Sequence, residues 1–151
     1  MKRICVDSGF LIGLYGESNG LHEQARNCFV EYFENAPNHL VVPWPILYET
    51  VRTSMVRASN RRGMEEFRRH WVNLKSQQRL DFIYDTDFHQ AALDECFTEL
   101  DRTPRSYRPL SLADRVIRKI LSETNYKIDA FITFNIGDFQ DVCAHRIQII
   151  P

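Results

Sequence analysis

No stretch of this 151-residue chain approaches the ~20 consecutive apolar residues of a membrane-spanning helix, so the sequence offers no candidate span. Its four cysteines, Cys5, Cys28, Cys96 and Cys143, never form a CxxC pair and never stand at ligand spacing from a histidine. Spacing therefore argues against a structural zinc site. His22, His39, His70, His89 and His145 make no ligand-spaced pair among themselves. Cys5 lies in a strand-like run, and Cys28 and Cys96 fall in amphipathic helical patterns, so they read as small core residues in a reducing cytoplasm. Repeats, low-complexity tracts and linkers are also missing. At 44% hydrophobic and 26% charged residues, the chain is long enough for one sizeable core and too short for two, so residues 1–151 are expected to form one domain. Met1-Lys2-Arg3 before Ile4-Cys5-Val6 mimics a signal peptide, but Asp7 interrupts the run and no small-residue cleavage site follows. A cytoplasmic protein without membrane attachment is the expectation.

Net charge is lacking as well. A formal value of -1 gives no global attraction to nucleic acid, so any RNA affinity must come from uneven distribution. That distribution is uneven. Over 52–79 stand Arg52, Arg57, Arg61, Arg62, Arg68, Arg69, Lys75 and Arg79 against only Glu65 and Glu66. Over 81–101 stand seven acids and neither lysine nor arginine. The basic stretch could present phosphate-binding side chains, with Arg52, Arg57, Arg61 and Arg62 nearest in sequence to Glu49. Tyr48, His70 and Trp71 could add stacking on bases. Alternatively, the arginines coat an exposed helix and pair with the acidic segment.

What is present is a set of four acids, each at a break in an apolar segment: Asp7, Glu49, Asp114 and Asp138. Asp7 ends Arg3-Ile4-Cys5-Val6-Asp7, too short for a helix and followed by Ser8 and Gly9, which places a carboxylate at the carboxyl end of a buried strand. Ligands of open parallel sheets bind at that end. Glu49 follows Pro43 and Pro45, which suit the start of a helix, and falls about one turn in. Asp114 lies in the first turn of a helix whose face is Ala113, Val116, Ile117, Ile120 and Leu121. Asp138 follows the strand-like run Ala130-Phe131-Ile132, past Thr133 and Asn135.

Each acid also has a purely structural reading. Asp7 or Ser8 could cap the next helix, Ser111 with Asp114 fits a capping box, and residues 135–138 could be turn chemistry. Taken together, acids that converge only on folding call for a cation. Two carboxylates 4 Å apart repel by about 4 kcal/mol at an effective dielectric of 20. Mg²⁺ or Mn²⁺ resolves that conflict with oxygen ligands and retained waters, and suits phosphodiester cleavage.

Helices are expected over 10–15, 21–35, 64–75 and 88–100, the second with Ala25, Cys28, Phe29, Tyr32 and Phe33 on one side, the last with Ala92, Cys96 and Leu100 aligned. Short strands are expected at 40–42, 82–84 and 147–150, and a loop at 103–109. Alternation of strands and helices implies an α/β domain with a parallel sheet and right-handed crossovers.

Ile4-Cys5-Val6-Asp7-Ser8, the Glu49 helix, Ser111-Leu112-Ala113-Asp114 and the segment from Ile132 through Asp138 to Phe139 together resemble the PIN-domain nucleases, and among them the VapC-like toxins of toxin-antitoxin pairs. The four pieces occur in that family's order across nearly the whole chain. The resemblance implies a three-layer α/β/α sandwich with a short, mainly parallel sheet and a Mg²⁺- or Mn²⁺-dependent ribonuclease. It maps Asp7, Glu49, Asp114 and Asp138 onto an acidic tetrad, with Asp7, Asp114 and Asp138 toward metal, Glu49 ligating or orienting water, and Ser8, Thr133 and Asn135 as polar support. Many relatives carry an acid where this chain has Asn135; others have asparagine there and the acid three residues on, as here, which points to Asp138. It also implies an RNA substrate, a small antitoxin partner and a homodimer. A stand-alone RNA-processing nuclease and a non-catalytic module that binds RNA or protein are the alternatives. An aspartyl phosphatase would need a second acid two residues after Asp7, where Gly9 stands.

Overall fold

The apolar runs around Cys5 and Phe131 become adjacent strands at the centre of a five-stranded sheet. The computed structural model describes residues 1–16, 19–51, 61–100 and 110–151. Within them the order is β1 (Arg3–Val6), α1 (Ser8–Tyr15), α2 (His22–Phe29), β2 (His39–Pro43), α3 (Trp44–Glu49), α4 (Arg61–Ser76), β3 (Leu80–Ile83), α5 (His89–Leu100), α6 (Leu112–Ser122), β4 (Ala130–Ile132), α7 (Ile136–Cys143) and β5 (Gln148–Ile150). All pairings are parallel, in the spatial order β3-β2-β1-β4-β5. Strands buried on both faces must be apolar throughout, which is why β1, β2 and β4 read as continuous runs rather than alternating ones.

Right-handed crossovers carry α1, α2 and α4 over one face and α5, α6 and α7 over the other, giving the three-layer α/β/α arrangement. The chain leaves β1 toward β2 on one side, whereas β4 and β5 lie on the other. The switch in direction falls between β1 and β4, and open parallel sheets bind ligands at the strands' carboxyl ends beside such a point. Ile4, Cys5, Phe10, Leu11, Val41, Ile46, Ile117, Phe131 and Phe139, all fully buried, form the core on both sides of this line. Gly13 admits α2 closely, since a Cβ there would stand 3.2 Å from the Ala25 Cβ.

Several expectations shift in detail. The helix over 21–35 forms, but after Phe29 it widens into a π-type turn over Val30–Glu34, the kind of local loosening that lets a helix end re-aim its side chains. The edge strand β3 begins two residues before 82. Along α5, Ala92 is buried and Cys96 only half-buried, while Leu100 is 71% exposed. The buried position near that end is Glu99, whose carboxylate stands 4.0 Å from the Arg115 guanidinium, so an ion pair occupies the place where apolar packing was expected. The loop at 103–109 lies outside the described residues. No helix among the described residues is long and apolar enough to cross a membrane.

Candidate active site

Asp7 leaves β1 at the switch point and caps α1. Its Oδ1 accepts the Phe10 amide at 2.8 Å, its extended backbone turning the chain into the helix. Its Oδ2 accepts the Thr133 hydroxyl at 2.5 Å, from the residue that follows β4. Thr133 Oγ1 in turn accepts the Asn135 amide at 3.0 Å, which orients the hydroxyl hydrogen toward Asp7. The Thr133 amide donates to the Ile150 carbonyl at 3.1 Å, tying this loop to the edge strand. Two adjacent strands thus hold one buried carboxylate from both sides.

That carboxylate is only 3% exposed, and burial pushes its pKa up to about 6. The Thr133 and Phe10 bonds pull the value down, and the charges of Asp114 and Glu49 push it up again. Distant in sequence, these three acids therefore share one electrostatic site. Glu49 reaches it as the last residue of α3, half-buried, with the following Thr50 hydroxyl closing the turn onto the Ile46 carbonyl at 2.8 Å. Asp114 reaches it from the first turn of α6. The capping box forms in full: Asp114 Oδ2 accepts from the Ser111 hydroxyl at 2.8 Å and its amide at 3.2 Å, and the Asp114 amide donates to Ser111 Oγ at 3.0 Å. A carboxylate has about four acceptor positions, so capping by Asp7 and Asp114 leaves lone pairs for another partner.

Asp138 is placed differently. It is half-buried in the first turn of α7, and its charge acts on Arg118 of α6. Arg118 also donates to the Asp138 carbonyl at 2.5 Å and grips Asp141 with both amino groups at 2.8 and 2.6 Å. Asn135 stands exposed at the start of α7 without a side-chain capping bond, and Ser8 is half-buried in the first turn of α1. Among the described residues, no three Asp, Glu, His or Cys side chains stand close enough, as oriented here, to hold a metal ion. The donor chemistry nevertheless fits a hard divalent cation: carboxylate oxygens, one of them buried in a negative field that a cation would relieve.

The basic stretch is split by geometry. Arg52 and Arg57 lie outside the described residues, while Arg61 and Arg62 begin α4. Arg61 bonds Glu65 at 2.8 Å one turn along the same helix, and Arg79 spends its guanidinium on the Phe33, Ala36 and Asn38 carbonyls. The acidic segment pairs elsewhere, Asp81 with Arg3 at 2.6 Å and Glu95 with Lys119 at 2.5 Å. A groove of about 1050 Å³ between α2 and α4 is lined by Arg26, Arg62, Arg68 and Arg69 together with Glu65 and Glu66, and none of the four acids lines it. Of the rings expected to stack on bases, Tyr48 is 70% exposed. His70 is not available: it stacks on Phe29 at 4.4 Å and bonds the Tyr15 hydroxyl at 3.2 Å, and burial holds its pKa down. Trp71 packs against Phe67 and Phe82. Sequence reasoning missed Trp44, whose indole bonds Tyr48 one turn along α3 and lies against Tyr84; the Tyr84 contact comes from the register of β2 on β3, which is not legible in the chain.

No protein-family model matches the chain, and no curated protein sequence does. Solved structures do. The toxin VapC20 of Mycobacterium tuberculosis, which cleaves the sarcin-ricin loop, superposes with a TM-score of 0.66 at 18% identity over 98% of this chain and 99% of its own. VapBC2 of Rickettsia felis bound to promoter DNA gives 0.54 at 14% identity over 98% and 97%. DNA-bound VapBC of Salmonella typhimurium gives 0.53 at 14% identity over 99% and 98%. The chain has the VapC-like PIN-domain fold over nearly its full length.

Proposed function

We propose that the protein is a divalent-metal-dependent endoribonuclease, the toxin of a VapBC-type pair. The observation that carries this reading is the buried Asp7 carboxylate at the switch point, kept in the field of Asp114 and Glu49 in a fold otherwise seen in VapC toxins. Burying a carboxylate beside two others is unfavourable, and a structural cap alone gains nothing from those neighbours. Asp7, Asp114 and Asp138 would hold Mg²⁺ or Mn²⁺, which supplies Lewis-acid polarisation of the scissile phosphate and a more acidic water for in-line attack. Thr133 keeps Asp7 oriented and ionised, Asn135 orients Thr133, and Glu49 ligates or positions the attacking water. Ser8, the residue after Asp7, would add polar support, and Arg61 and Arg62, with Arg52 and Arg57, would contact RNA phosphates.

Two of the structural neighbours were solved as toxin-antitoxin complexes, which supports a small antitoxin as partner; a homodimer is proposed on the same resemblance. A neighbouring reading frame encoding a short DNA-binding protein is the expected genomic context. The rival reading, a PIN-like module that binds without catalysis, draws on the open spacing of the acids. The deciding experiment is RNA cleavage with Mn²⁺ and with EDTA, for the wild type and Asp7→Asn. Cleavage only with metal, reduced about a hundredfold or more in a folded Asp7→Asn protein, is expected. Full activity in the variant, or no Mn²⁺ binding by the wild type in calorimetry, would reject the assignment.

A further inference from the structure

The carboxyl edge of the sheet carries a second feature beside the acids. Pro43 and Ile83 are the last paired residues of β2 and β3, and the residues that follow them are Trp44, which opens α3, and Tyr84. Their rings stack with centroids 5.4 Å apart and planes 27° from parallel. The Trp44 Nε1–H donates to the Tyr48 hydroxyl at 3.0 Å, one turn along α3, and Phe82 meets the indole in an edge contact with centroids 5.5 Å apart. Trp44 is half-buried, whereas Tyr48 and Tyr84 are 70% and 60% exposed. These rings are ordered by one another, not by burial.

We infer that Trp44, Tyr48 and Tyr84 form a stacking platform for unpaired bases of a single-stranded RNA whose backbone crosses the Asp7 site. Three observations point to RNA. The platform shares α3 with Glu49: successive side chains of a helix diverge, so Tyr48 turns to Trp44 while Glu49 acts on Asp7, and a strand with a base held on Tyr48 is directed past the neighbouring acids. Register extends the alignment: Cys5 lies opposite Val41, so Asp7 lies level with Pro43 and Trp44 begins one strand, about 5 Å, to the side. Finally, Tyr84 already rests on the indole, so a base added to its outer face lengthens an existing stack and orders little else. Aromatic faces accept any base, so the platform sets where a strand lies and favours unpaired segments over duplex.

The inference rests on the ribonuclease reading for its substrate, but its test separates the two. Binding of a short single-stranded RNA oligonucleotide is titrated in EDTA, where no metal-dependent cleavage occurs, using tryptophan fluorescence and anisotropy of a labelled strand. Y48A and Y84A should each weaken binding about tenfold, the loss of one stacked base. Y48F and Y84F keep the rings and should bind as the wild type does, and a duplex of the same sequence should bind more weakly and ignore all four changes. Unchanged affinity in both alanine variants overturns the platform, as does equal weakening by phenylalanine, which would assign the effect to the hydroxyls. Self-association abolished by Y48A or Y84A, with RNA binding unaffected, also overturns it and makes the face a contact between copies. RNA binding that obeys the expected pattern without any cleavage in Mn²⁺ supports the platform while removing the nuclease reading.

Discussion

Asp7 and Arg61 each carry one charge, and the molecule treats them in opposite ways. Asp7 is 3% exposed, held by bonds from α1 and from the loop after β4, and pushed up to about 6 by burial and by two like charges. The Arg61 side chain is 90% exposed and pairs with a glutamate one turn away on its own helix. A solvated charge costs little and contributes little, whereas a charge kept in the interior against its own repulsion is destabilising, an arrangement that clusters at functional sites. The comparison ranks the acid at the sheet edge far above the arginine face as a place where chemistry is done.

The comparison breaks first if Thr133 proves dispensable. Thr133→Val preserves shape but leaves Asp7 Oδ2 without its hydroxyl donor, so Mn²⁺ affinity by calorimetry should fall 10- to 100-fold, roughly what losing a supporting bond to a metal ligand costs. An unchanged affinity would put the ion elsewhere. Next comes stability in EDTA. A folded pKa of about 6 against an ordinary value near 3.8 means that the folded protein holds the Asp7 proton more tightly; the stability from this group is intact below pH 3.8 and lost as pH rises through 6. Asp7→Asn removes the loss, so it should match the wild type near pH 4 and exceed it by up to about 3 kcal/mol at pH 7 in urea denaturation. A variant no more stable at pH 7 would mean that the carboxylate is not under strain.

Ser111→Ala sharpens the contrast at Asp114. Removing the capping hydroxyl should cost about 1 kcal/mol of stability while sparing cleavage more than Asp7→Asn does. Loss of activity comparable to Asp7→Asn would show that the capping box also aims the acid. At the small end, Arg61→Ala should change stability by less than about 0.5 kcal/mol, with weaker RNA binding at low salt as its main effect. A stability loss well beyond that would make α4 an integral part of the fold's support and narrow the contrast.

Much of the site was legible along the chain because its parts follow strands too apolar and too short to be anything else. Arg3–Val6 and Ala130–Ile132 announce buried parallel strands, and the residues just after them, Asp7 and Thr133, occupy the edge where such sheets bind ligands. Glu49 was marked by the two prolines that start its helix, and Ser111 with Asp114 by capping spacing. The aromatic residues were less transparent. His70 and Trp71 look like Tyr48 in the sequence, yet α4 turns His70 onto Phe29 and Tyr15 and leaves only Tyr48 in solvent. Leu100 shares a helical face with Ala92 by periodicity and is nevertheless exposed, because Arg115 draws Glu99 inward beside it.

Periodicity, turn residues and the position of single acids in apolar runs are local properties, and local properties were enough to specify a parallel α/β sheet with carboxylates at its carboxyl edge. Which side chains meet there was decided by strand order and register. Only pairing β1 with β4 puts the Thr133 hydroxyl on Asp7, and only pairing β2 with β3 lays Tyr84 on Trp44. Those contacts depend on a three-dimensional neighbour that lies tens of residues away in the chain, and no spacing along the chain encodes it.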